Sequence, residues 1–261
     1  MTILAKSLRD RRRGVLAWSA GLAGLTALIF LYWPTVKDNP ELDRFFSGLP
    51  EAVRALTGHT RLTDPAGYLN AELFSLMIPL LLLVVAIGMG ARAIAGEEER
   101  GTLELLLSAP LSRRRVLLEK VAAGVLILLG LGAVLLVTLI AGAQLAGMDI
   151  ATGRLAAIAV SVVALALPFG ALALALGCAT GARGAAIGTT VAVAAAAYLL
   201  NSLAPLSAAL KPWRVLSPFH WYGSEAVLTA GPRWGYLALL AGTAAALTLL
   251  AVLLFERRDV T

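Results

Sequence analysis

The sequence predicts an all-α, polytopic membrane protein: six transmembrane helices, an N-terminal interfacial helix, and a short cytoplasmic helix between spans two and three. Three observations predict it. Hydrophobic residues make up 59% of the 261 residues and charged residues only 15%, against about 45–50% and about 25% in soluble globular chains. Six stretches free of Asp, Glu, Lys and Arg are close to membrane length: 14–36, 73–91, 121–148, 155–182, 184–210 and 234–255. Basic residues crowd the segments at one side of these runs.

The composition excludes a cytosolic enzyme, a disordered chain and a disulfide scaffold, since a soluble globule cannot bury so much apolar surface. A single cysteine, Cys178, cannot close an intrachain disulfide. A helix crosses ~30 Å of hydrocarbon in about 20 residues, and a mid-bilayer charge costs at least about 2.5 kcal/mol. Uninterrupted runs therefore read as helices. They show no apolar–polar alternation, which excludes a transmembrane barrel. With flanking residues weighed, residues 1–261 form one transmembrane domain with spans near 14–36, 73–94, 117–146, 155–178, 184–205 and 234–255.

Residues 2–13 are a basic amphipathic lead-in, with Ile3, Leu4 and Leu8 facing acyl chains and Lys6, Arg9 and Arg13 reaching headgroups. The first run ends in Tyr32-Trp33-Pro34 rather than small residues, so it is a retained span and not a cleaved signal, with both aromatics at the outer interface. With the N-terminus inside, inner segments carry 14 basic residues and the longer outer segments carry 8. This positive-inside bias puts both termini in the cytoplasm.

Residues 37–72 form a polar outer loop with room for a short helix near Leu42–Leu56. His59 in that loop has no second ligand at metal spacing. Pro79 and Pro168 are expected to kink the second and fourth spans. Residues 179–184 are a tight inner turn. Residues 205–233, with four prolines and the aromatics Trp213, Phe219, Trp221 and Tyr222, are expected at the outer interface, where His220 also lies. Gly184 and Gly188, like Ala192 and Ala196, lie four apart, a spacing that lets helices approach closely, most simply within the chain.

The segment 92–120, RAIAGEEERGTLELLLSAPLSRRRVLLEK, is the most informative. Glu97, Glu98, Glu99 and Arg100 follow a span directly, and Gly101-Thr102 punctuates. Thr102 is a suitable N-cap, and Glu104 complements the dipole of a helix bearing Leu103, Leu106 and Leu107. Pro110 stops that helix, and Ser112 caps the next. Arg113, Arg114 and Arg115 in a first turn oppose the helix dipole, so topology or a partner surface selects them. The leucines need lipid, neighbouring helices or another protein to cover them.

The residues disfavour energy coupling by this chain itself, with backbone and polar sites such as Thr138, Gln144, Ser161 and Asn201 left open as places for an ion. The chain has no Gly-Lys pair, hence no phosphate loop, and its six runs hold no ionisable residue of the kind ion-coupled carriers bury.

Residues 96–120 resemble the signature of the type-2 ABC transporter permeases, E-x-x-x-G-T-x-E-x-L-L-x-x-P-[ILV]-[ST]-R, at Glu97, Gly101, Thr102, Glu104, Leu106, Leu107, Pro110, Leu111, Ser112 and Arg113, with Lys120 closing the segment. L-S-P-F-H-W-Y-G at 216–223 is similar to the family's L-S-P-F stretch. The resemblance implies a permease subunit of an exporter, lacking ATPase activity. It would pair with a second permease, the same or homologous, and with two P-loop ATPase subunits that bind ATP and Mg. No cofactor, metal or nucleic acid is expected in this chain. Residues 97–107 would form the segment that docks on the ATPase. The setting would be a bacterial cytoplasmic membrane. Two other readings are a membrane scaffold subunit and an intramembrane lipid-modifying enzyme depending on His59 or His220.

Overall fold

A computed structural model describes residues 3–39, 41, 44, 48–50, 53, 62–99, 101 and 112–257. Helices over these residues are α1 (Ile3–Lys37), α2 (Pro65–Leu69), α3 (Met77–Ala93), α4 (Ala95–Glu98), α5 (Arg113–Leu145), α6 (Thr152–Thr180), α7 (Arg183–Leu203), α8 (Pro218–Tyr222), α9 (Ser224–Ala230) and α10 (Trp234–Arg257). No strand occurs among the described residues. Six helical stretches are long and apolar enough to cross a membrane: α1, α2–α3, α5, α6, α7 and α10.

The lead-in and the first span are one helix. Nothing between residues 10 and 14 stops it, since no proline intervenes and Gly14 costs only about 1 kcal/mol in a helix. Its 35 residues run to ~52 Å at 1.5 Å each, so its basic first turns extend past a ~30 Å core. Trp33 faces the protein interior and not its surroundings. It is 4% exposed, with its ring 5.2 Å from that of Tyr68, whereas its neighbour Tyr32 is exposed.

The second span starts at Pro65, earlier than the charge-free run. Asp64 caps it, accepting a hydrogen bond from Gly67 N, and Pro65 takes the first helical position, where a missing amide costs nothing. Glu72 hid this start from charge counting, but it lies in a π-helical turn, Asn70–Phe74, closed by Ser75 N donating to Asn70 O at 2.7 Å. The break falls at Leu76, and Pro79 sits in the first turn of α3 rather than kinking its interior. α6 remains one helix through Pro168.

α6 is the hub. It packs on α3 and α10 most extensively and also on α5, α7, α8 and α9, and 72% of its apolar window is buried, against 17% for α1 and α10. At the α3–α6 crossing, a Cβ on Gly90 would stand 2.1 Å from Gly170 O, so only glycine permits this approach. α1 packs chiefly on α5, where the Phe30 ring fills the space a side chain at Gly142 would need. The tight turn after α6 closes on Gly181, whose φ of +67° makes the left-handed C-cap.

Residues 204–233 fold into the bundle rather than lying wholly at a surface. Ser217 Oγ accepts from Phe219 N at 3.2 Å and donates to Ala197 O at 2.7 Å, and Pro218 begins α8. Phe219 is buried between the rings of Phe169 and Tyr198, at 5.9 and 5.4 Å. The Tyr222 hydroxyl donates to Phe74 O at 3.0 Å. The L-S-P-F stretch is thus a capped, proline-started turn that anchors an aromatic in the core. The helix considered near Leu42–Leu56 lies largely outside the described residues.

Candidate functional site

The described residues at the join between the second and third spans, 94–99, 101 and 112 onward, form an elbow at one end of the bundle. After α3 the chain turns at Ile94 into α4, which carries Glu97 and Glu98, and Glu99 follows as its C-cap. Gly101, with φ of +65°, continues the turn. Arg100, Thr102, Leu103, Glu104, Leu106, Leu107 and Pro110 lie outside the described residues, as does His59. Ser112 then caps α5, its hydroxyl accepting from Arg115 N at 3.3 Å.

Lys120 is the hub of this end. Its Nζ donates to Glu97 Oε1 at 3.1 Å and to Ala93 O at 2.6 Å. Ala93 closes α3, where the last carbonyls lack intrahelical donors and the dipole favours a cation. One ammonium on α5 therefore satisfies the end of α3 and a carboxylate on α4. Its side chain is 9% exposed and that of Glu97 is 24% exposed.

Glu99 reaches elsewhere. Its Oε1 accepts from Arg183 N at 2.9 Å. That amide begins α7, whose own N-cap residue, Ala182, supplies no side-chain acceptor. An acid from the elbow thus caps the fifth span from outside. Glu119 ties in the first span, with Oε2 accepting from Leu4 N at 3.1 Å and Oε1 from Arg115 Nε at 3.1 Å. Arg113 donates to Phe255 O at 3.5 Å and lies 5.9 Å over the Phe255 ring, near the end of α10. Two of the three arginines that oppose the α5 dipole thus have partners inside the chain.

Glu97, Glu99 and Arg113 were legible as an unusual charge cluster. Lys120 was visible only as the last residue of the signature, and Glu119 and the Arg183 amide carried no signal. Their roles depend on helix ends that meet only in three dimensions.

Above the elbow, a cavity of about 440 Å³ opens between α3, α5, α6 and α10. Arg114 and Lys120 stand at its elbow end, and Met89, Val125, Leu128, Leu167 and Leu174 line it with little polar surface. Its walls offer burial to hydrocarbon and almost no hydrogen bonding.

Among the described residues, the small-residue spacing on α7 makes no packing contact within the chain. Gly184, Gly188, Ala192 and Ala196 are all exposed, and a Cβ on either glycine would meet nothing within 4 Å. The helix presents this stripe outward while its opposite face, including Ala186, Thr190 and Ala194, is buried.

A family model described as ABC-2 family transporter protein matches residues 1–260. The chain belongs to the ABC-2 transporter family. No curated protein matches it. As a member of the ABC-2 family with six apolar spanning helices, it is a multi-pass membrane permease component of an ABC transporter. ABC-2 permeases do not hydrolyse ATP themselves and work with an ABC ATPase subunit. The elbow is the stretch that carries the family-like signature.

Proposed function

We propose that this ABC-2 permease is the gate of an ATP-driven exporter, moved by alternating access when two ATPase subunits dock beneath the elbow. The carrying observation is mechanical. Through Lys120, Glu97 and Glu99, the elbow is bonded to the ends of α3, α5 and α7 at once. A displacement of Glu97 and Glu99 is thereby delivered to three spans. ATP and Mg belong to the partner, whose closure supplies the displacement. The charge bias of the sequence supports an elbow and both termini on the cytoplasmic side of the membrane.

A second permease subunit completes the assembly. The outward stripe Gly184, Gly188, Ala192 and Ala196 supports α7 as its contact face, since small residues let helices meet closely in lipid. The apolar cavity above the elbow supports a cargo with substantial hydrocarbon.

The test is copurification with the cognate ATPase, followed by hydrolysis assays. Glu97→Lys and Glu104→Lys should reduce ATPase recovery or uncouple hydrolysis from transport while leaving membrane insertion intact. Wild-type coupled hydrolysis in both variants would defeat the coupling role. A Gly188→Cys variant should form a disulfide-linked dimer in membranes, and its absence under oxidation would remove α7 from the dimer interface.

A further inference from the structure

At the end of the bundle opposite the elbow, a second cavity of about 280 Å³ is polar where the first is greasy. It is assembled by segments remote in sequence. Asn70 and Ser75 come from the π-helical turn and its end, Asn201 from the end of α7, Arg214 from the 3-10 helix Lys211–Leu216 that follows, Glu225 from α9, and Arg233 from the approach to α10. The scaffold is pinned: Ser224 Oγ donates to Asn70 Oδ1 at 2.6 Å, and Tyr222 to Phe74 O at 3.0 Å.

The charges are not balanced. Arg214 donates through Nε to Asn201 Oδ1 at 3.1 Å, which orients the guanidinium and leaves its two terminal amino groups over. Arg233 lies 4.1 Å over the Tyr236 ring, which likewise fixes the plane without providing an acceptor. Among the described residues neither arginine has a carboxylate at ion-pair distance, although Glu225 lines the same cavity. Gly223 makes room for one of them, since a Cβ there would stand 3.0 Å from an Arg233 terminal nitrogen. His220 borders the same space, its Nε2 3.5 Å from the Tyr236 hydroxyl. Burial, then Arg214 and Arg233, hold its imidazole below the ordinary value, so it adds no charge near neutrality.

We infer that this cavity binds a phosphodiester group, with Arg214 and Arg233 as its two guanidinium clamps. Among the described residues that line it, two cations against one carboxylate leave one net positive charge, which matches the single negative charge of a phosphodiester. Planar guanidinium forks suit phosphate oxygens bidentately. The volume suits a headgroup rather than a drug-sized molecule. The group can come from a phospholipid or from a soluble diester, and the chemistry is the same for both. The inference goes beyond the exporter reading and needs neither nucleotide nor ATPase.

The experiment uses the purified full chain in maltoside micelles, which contain no phosphate. The probes are soluble glycerophosphoglycerol, phosphatidylglycerol, and diacylglycerol as a phosphate-free lipid control, read by the shift in thermal unfolding midpoint against concentration. At least one phosphodiester should stabilise the wild type saturably while diacylglycerol does not. Arg214→Gln and Arg233→Gln should each weaken binding about tenfold or more. Arg154→Gln, at an exposed arginine outside the cavity, should bind as wild type does. Response to both diesters identifies the headgroup as sufficient, and response to phosphatidylglycerol alone identifies a lipid site. Should the glutamine variants fail to fold, Arg214→Lys and Arg233→Lys keep the charge, lose the fork and should bind more weakly. No stabilisation of the wild type by either diester, equal stabilisation by diacylglycerol, or unchanged binding in the arginine variants would overturn the inference.

Discussion

Replacing Lys120 by Met removes the ammonium that joins α5 to the end of α3. Breaking a fully buried ion pair by deleting one partner costs about 3–5 kcal/mol. Here the surviving Glu97 carboxylate is 24% exposed and water reaches it, so its share is smaller. The Ala93 carbonyl also loses its 2.6 Å donor, worth about 1 kcal/mol. The sum is ~2–3 kcal/mol, or a fall in unfolding midpoint of about 5–10 °C for a chain of this size. Tryptophan fluorescence during a thermal ramp, in one fixed detergent, reads it. Glu97→Leu should cost a similar amount, since it removes the carboxylate partner of a nearly buried ammonium. The double variant Glu97→Leu/Lys120→Met leaves no orphan charge and should recover most of the loss. A Lys120→Met midpoint equal to wild type, or a double variant that loses the full sum of the singles, would refute the account of the elbow as a charge-stapled joint.

Three further outcomes follow from the geometry. Gly90→Ala should cost about 3 kcal/mol or more, because its Cβ would meet the unyielding Gly170 carbonyl, whereas Gly88→Ala, with open space around it, should be neutral or slightly stabilising in the same thermal ramp. Glu99→Ala removes the acceptor at the start of α7 and should cost about 1 kcal/mol, seen as faster amide hydrogen exchange in the first turn of that helix, with Glu99→Gln losing less. The folded-state pKa of His220 lies below its ordinary value of 6.5. The unfolded chain therefore takes up the proton first, and stability is full above that value and declines as pH falls through it. His220→Gln should flatten that limb of the midpoint-against-pH curve.

Much of the chain was legible from its residues. Charge-free runs locate six helices because lipid forbids both unpaired backbone and unpaired charge, and the Ser112 cap and Gly181 turn are local chemistry. The second span's start was harder to see. Charge counting trusted Glu72 as a boundary, while Asp64-Pro65 held the stronger start signal and a π-turn accommodated the acid. The packing of Trp33 was not legible, because an aromatic near a span end suits lipid headgroups and a protein contact equally, and only the position of Tyr68 shows the contact.

The sequence by itself determined that this chain spans a membrane six times, carries an elbow of dense charge between the second and third spans, and belongs with permeases that lack their own phosphate loop. Those are properties of hydrophobic length, charge and local capping, all readable along one dimension. Only the tertiary structure decided that α6 is the hub, that Lys120 and Glu99 bind the elbow to three helix ends, that the α7 stripe faces outward, and that Arg214 and Arg233 share a cavity. The physical reason is that in lipid every span is apolar all round, so periodicity does not tell the buried face from the lipid-facing one. Which polar ends meet is then settled by helix packing and not by spacing in the chain.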